Sequence, residues 1–115
     1  MTTLVLRAIS EKAKLWQAFL EFRVIGYWAR TEQPGLRAVP EDVIKRAGKW
    51  VLYDEREKGK FDADGNLTAS LSLQHFSRDA DEIARLVRQY GLEAVIEDGP
   101  RGEREVVILA STRSQ

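Results

Sequence analysis

Leu67-Thr68-Ala69-Ser70-Leu71-Ser72-Leu73-Gln74 opens the stretch that decides the fold, and it continues from His75 to Ala110 as HFSRDADEIARLVRQYGLEAVIEDGPRGEREVVILA. Leu67, Ala69, Leu71 and Leu73 alternate with Thr68, Ser70, Ser72 and Gln74, the period of a strand with one face on a core and one in water. Ser77 is placed to cap a helix through its hydroxyl, and Asp79, Asp81 and Glu82 put negative charge at that helix's positive end. Ala80, Ile83, Ala84, Val87 and Tyr90 form one apolar stripe, and Gly91 supplies the left-handed residue that closes the helix. Leu92–Glu97 reads as a strand, Asp98–Gly102 as a turn, and Glu105–Ala110 as a strand. The unit predicted is β-α-β-β.

Upstream, Thr2–Ile9 is a β-prone run with apolar residues on both faces. Ser10 caps a helix in which Leu15, Ala18, Phe19 and Phe22 form a stripe that Trp16 and Leu20 broaden. Val24-Ile25-Gly26-Tyr27-Trp28 fits either a continued helix or a strand, and the spacing of Phe22, Ile25 and Ala29 favours helix. Thr31–Ala38 carries a Gln33-Pro34-Gly35 turn signal and reads as a loop. Pro40 opens a short helix that Gly48 ends, and Trp50–Tyr53 reads as a strand. Asp62–Asn66 is a turn inside a long hairpin. The expected class is therefore α+β with a ferredoxin-like β-α-β-β-α-β core: an antiparallel sheet, two main helices on one face, a short inserted helix and an extra C-terminal strand. Residues 1–115 form one domain in this reading, with 111–115 as a fraying end.

Composition narrows the chemistry. There is no cysteine, so disulfides, zinc thiolates and cysteine nucleophiles are excluded. A single histidine leaves any metal site to carboxylates. Asp62, Asp64 and Asn66 alternate like a calcium loop, but glycine falls fourth and position twelve is Leu73, so the spacing fails and the segment is a turn. His75 has a suitable intrinsic pKa for acid–base work but no nucleophile with an orienting partner beside it, and a structural hydrogen bond is the better reading. Gly99-Pro100-Arg101-Gly102 is a hairpin tip and lacks the pattern of a phosphate loop. No cofactor or metal is expected, and no catalytic residues are assigned. The N-terminus lacks a signal-peptide pattern and no segment is long and apolar enough to span a bilayer, which sets a cytoplasmic expectation.

Net charge is zero, yet residues 1–50 carry nine Lys or Arg against five Asp or Glu, and the remainder nine against thirteen. The aromatic residues also concentrate in the first half. Tyr27-Trp28-Ala29-Arg30 before a loop has the composition of an interface hot spot. The expectation is a small non-catalytic protein that binds another protein, as accessory regulators and inhibitors of phages and mobile elements do. Its contact residues are taken as Tyr27, Trp28, Arg30, Arg37, Lys58, Lys60 and Arg101. A second reading is nucleic-acid binding through Lys12, Lys14, Arg23, Arg30, Lys45, Arg46 and Lys49, and a third is an enzyme using His75 with a carboxylate. A second copy of the chain is a further candidate partner through an exposed terminal strand.

Overall fold

The computed structural model describes residues 9–110. Helix α1 (Glu11–Val24) leads into strand β1 (Trp28–Gln33), a short α2 (Glu41–Lys45) and strand β2 (Trp50–Asp54). Two short strands follow, β3 (Leu71–Ser72) and β4 (Gln74–His75), then α3 (Ala80–Gln89) and the hairpin of β5 (Ala94–Asp98) with β6 (Arg104–Ile108). Two three-stranded sheets result, ordered β1-β2-β4 and β3-β6-β5. β1 and β2 run parallel, and the other pairings are antiparallel.

This is a mixed α+β domain, but the described residues do not reproduce the ferredoxin-like order. The difference begins at Val24–Trp28, where the spacing favoured helix. The helix ends at Val24 because Gly26 takes φ +104, a left-handed turn open to glycine, and β1 starts two residues later. Thr31–Gln33, expected as loop, belongs to that same strand. An added strand parallel to β2 changes the sheet. The expected strand at Thr2–Ile9 lies outside the described residues except for Ile9.

β2 is buried along its whole length, so its alternate side chains meet two cores. Val51 and Tyr53 join Leu15, Phe19 and Phe22 of α1 and Ile83 and Val87 of α3 in the larger one. Trp50 and Leu52 face Val39 and Val43 beneath α2, with Trp28, Ile44 and Phe76 packed around them. The inserted helix therefore covers part of the sheet face that the sequence left open to water.

The two sheets meet at Leu73, which separates β3 from β4. Leu73 donates its N–H to the carbonyl of Val106 at 3.0 Å. The return bond of an antiparallel pair is missing, because the chain turns away toward β2. Val106 instead donates its N–H to Nε2 of His75 at 3.1 Å, while Nδ1 lies 2.8 Å from the carbonyl of Phe76. An Nε2 that accepts fixes the proton on Nδ1, so the neutral ring is satisfied on both sides. Burial lowers the His75 pKa below its ordinary 6.5, against smaller opposing effects of the Phe76 carbonyl, Asp79 and Glu105.

Other junctions follow the sequence with local corrections. Gly91 closes α3 at φ +91 as expected. Ser77 does not cap that helix; it opens a 3-10 turn, and its hydroxyl accepts from the N–H of Arg104 at 2.8 Å. The Asp62–Asn66 turn forms around Asp62 Oδ1, which accepts from Asp64 and Asn66 N–H groups at 2.8 and 2.9 Å. It clamps the start of α1: Asn66 Oδ1 accepts from Glu11 N–H, and the Glu11 carboxylate accepts from Leu67 N–H at 2.7 Å.

Among the described residues β1 and β5 have a strand on one side only, and side chains cover their outward carbonyls. Trp28 donates to Lys49 across the β1–β2 ladder, so the carbonyls of Ala29 and Thr31 point away from it. Arg23 and Arg30 both donate to Ala29 O at 2.8 Å, and Gln33 donates to Thr31 O at 2.9 Å. On β5, Arg88 grips Ala94 O with two donors at 3.0 and 2.8 Å. Charged groups across a free edge oppose pairing with another strand.

The His75 junction sets a pH dependence. Above about 6.5 the ring is neutral in the folded and unfolded chain, and stability is at its full value. As pH falls below that value the unfolded chain takes up a proton that the folded ring resists, so stability declines until the folded ring itself is protonated. Denaturant titrations of His75→Ala should lack this decline while losing about 1–3 kcal/mol at neutral pH for the orphaned Val106 N–H. A wild-type stability that is flat between pH 7 and the acid range would contradict the assignment.

Candidate functional site

β1 carries an irregularity between Arg30 and Gln33, where its register against β2 shifts. Within that bulge Glu32 has φ +54, a left-handed conformation costly for a residue with a side chain. The consequence is the placement of its carboxylate. The Tyr53 hydroxyl donates to Glu32 Oε2 at 3.3 Å, and Lys12 Nζ lies 3.7 Å from the same oxygen. Burial raises the Tyr53 pKa well above its ordinary 10, and the charge of Glu32 raises it further, so the phenol keeps its proton. These groups line a cavity of about 340 Å³ together with Ser10, Ala13, Thr31 and Trp16. The first turn of α1, fixed by the Asp62–Asn66 clamp, supplies one wall, and the bulge supplies the other.

Trp16 also begins the outer face of α1. Trp16, Leu20 and Val24 recur every four residues on the side away from the core and are 45%, 41% and 78% exposed, with Ile25 next to them at 41%. α1 is thus apolar inside and outside. Such a helix in a globular protein is normally covered on both sides. A shallow groove between Leu20, Val24 and Tyr90 extends this face toward the end of α3. On the other flank, Arg23 stacks over the Trp16 ring at 5.4 Å and reaches Ala29 O, where Arg30 also donates. Arg30 in turn stacks over Trp28 at 5.2 Å. Two tryptophan–arginine stacks therefore meet at a single carbonyl, joining α1 to β1.

The contact residues read from sequence are dispersed by comparison. Trp28 and Arg30 form one stack, but Trp28 is half-buried against the α2 cluster. Tyr27 is corrected outright: it is buried, packs on Phe22 and donates its hydroxyl to Glu82, with Lys49 over its ring at 5.3 Å. Lys49 and the Tyr27 hydroxyl together hold the Glu82 carboxyl below its ordinary range, the hydroxyl more strongly. Arg37 is exposed in the 3-10 turn Leu36–Ala38. Lys58 is exposed, whereas Lys60 is tied to Glu57 at 3.0 Å and Ser70 O at 2.8 Å. Arg101 is exposed at the tip of the β5–β6 hairpin.

The cations of the nucleic-acid reading are mostly engaged. Lys45 pairs with Glu41, Arg46 with Asp42, Lys49 with Glu82 and Lys12 with Glu32. Among the described residues no three His, Asp or Glu side chains come together as metal ligands would, and no helix is long and apolar enough to cross a membrane. Compared with known proteins, the chain matches no family model, no curated protein and no solved structure.

Sequence reasoning did not single out Glu32 or the outward role of Trp16, Leu20 and Val24. The strain at Glu32 gives a direct check. Glu32→Gly can adopt φ +54 without penalty, whereas Glu32→Ala keeps the penalty and loses the same contacts. The glycine variant should therefore unfold at the higher denaturant concentration, by about 1 kcal/mol relative to alanine. Equal stability of the two would mean that position 32 is unstrained.

Proposed function

We propose that this protein acts without catalysis, by binding another protein in the manner of a small accessory regulator or inhibitor, in a cytoplasmic setting. The observation that carries the reading is the outer face of α1. It presents Trp16, Leu20, Val24 and Ile25 to solvent in one row, flanked by Arg23, Arg30 and Trp28. Tryptophan and arginine are the residues on which interface energy concentrates, and a packed apolar row beside them supplies area.

Two features support this reading over its alternatives. Four of the seven cations expected to meet phosphates are already paired with carboxylates, and Arg23 and Arg30 are committed to the carbonyl of Ala29, so few of them stand unengaged. Both nitrogens of His75 are engaged by backbone groups, which leaves the ring without a free site for proton transfer. A second copy of the chain is one form the partner could take.

Leu20→Asp with Val24→Asp places two charges on the row without touching the core. The variant should keep wild-type stability within about 0.5 kcal/mol per site. It should lose the proteins that the wild type captures from nuclease-treated lysate of its own cell, and sedimentation should show whether self-association is lost with them. Trp28→Ala with Arg30→Ala should weaken the same capture. A folded α1 double variant that captures the full wild-type set would refute the placement.

A further inference from the structure

We infer that the cavity at the β1 bulge receives the guanidinium of an arginine side chain from the protein that docks on α1, with Glu32 as counter-ion and Trp16 as stacking surface. The inference rests on the docking reading above and adds the chemistry of the partner's anchor.

The argument starts from the carboxylate. Both contacts to Glu32 fall on one oxygen and both are long: 3.3 Å from the Tyr53 hydroxyl and 3.7 Å from Lys12 Nζ. Oε1 has no partner among the described residues, and the side chain remains 33% exposed. Lys12 is itself 52% exposed and lies 5.6 Å from the centre of the Phe61 ring, so it has a second resting place when displaced. A guanidinium offers two parallel N–H donors, which match a carboxylate with one occupied and one open oxygen. The cavity volume of about 340 Å³ lies at the small end for ligand sites, suited to one side chain and not to a large cofactor.

The walls select the same group. Trp16 and Tyr53 line the cavity, and an indole already stacked with Arg23 shows that this surface takes a planar cation. An anionic ligand would face Glu32 and would have to take Lys12 from it. An apolar ligand would strip water from the carboxylate and return nothing. Position matters as well. Trp16 belongs both to the cavity and to the exposed row of α1, so a partner that covers the row at Trp16 lies beside the cavity that holds Glu32.

The test titrates isotope-labelled protein with N-acetyl-arginine amide, using N-acetyl-citrulline amide as the uncharged analogue of the same shape. The arginine probe should shift the Trp16 indole N–H and the Thr31 and Glu32 amides saturably, with Kd on the order of 1–10 mM for a lone side chain. Citrulline should shift them far less. Glu32→Gln should weaken the arginine response about tenfold or more. Equal response to citrulline, an unchanged response in Glu32→Gln, or no saturable shift at Trp16 would overturn the inference. Full partner capture by folded Glu32→Gln would overturn it too. Failure of the docking reading looks different: capture would then be insensitive to the α1 substitutions, whatever the probe does.

Discussion

The N–H of Val106 donates to the imidazole of His75, and around that bond the two sheets are held together. A backbone segment can pair fully with one neighbour on each side only while it stays straight. Leu71–His75 bends at Leu73 to pair with β6 first and β2 afterwards, which leaves the Val106 N–H without its usual carbonyl. A buried orphan of that kind costs as much as a good hydrogen bond contributes. An aromatic nitrogen reaching sideways from the departing strand restores the bond without straightening the chain. The bend in turn lets β2 sit centrally, with α1 and α3 on one face and α2 on the other.

The side of the molecule built from α1 and β1 follows different rules. Its core face is conventional, with Phe19 edge-on to Phe22 and Tyr53. Its outer face leaves apolar side chains in water, and its strand holds a glutamate in a glycine-like conformation. Each feature lowers stability taken alone, and the two are joined through Trp16. Local departures from easy folding gathered on one surface are the usual mark of a surface shaped for contact.

Much of the fold was legible from Asp62 to Ala110, although the strand expected over Leu67–Gln74 is reduced to the two-residue β3 and β4, with Ala69 exposed. The α3 stripe, its closing Gly91, the Asp62–Asn66 turn and the Gly99–Gly102 tip are all written in local chemistry. What was hidden depended on tertiary context. The Val24–Trp28 segment satisfies helical spacing and β-propensity equally, and only the left-handed turn at Gly26 decides between them. Trp16 and Leu20 read as a wider core stripe, because no pattern within a helix says which of two apolar sides faces the sheet. Nothing in a Thr-Glu-Gln sequence announces a left-handed glutamate. Ser77 had two legitimate uses for its hydroxyl, and the distant Arg104 N–H took it. The surface was therefore less legible than the fold: the Trp28–Arg30 pair was visible in the sequence as a composition, while the cavity lined by Trp16, Glu32 and Tyr53 was not.

The capped edges constrain how this protein can meet others. Arg23, Arg30 and Gln33 occupy the outward carbonyls along β1, and Arg88 occupies the one at the head of β5. A strand arriving at either edge would have to evict charged donors from their acceptors and rehydrate them before gaining a ladder of its own. Stacking of copies into a continuous cross-strand array carries that toll at every step. Contact through the side of a helix carries none of it. The same arginines that brace the tryptophans thus make edge-to-edge strand pairing costly at β1 and β5.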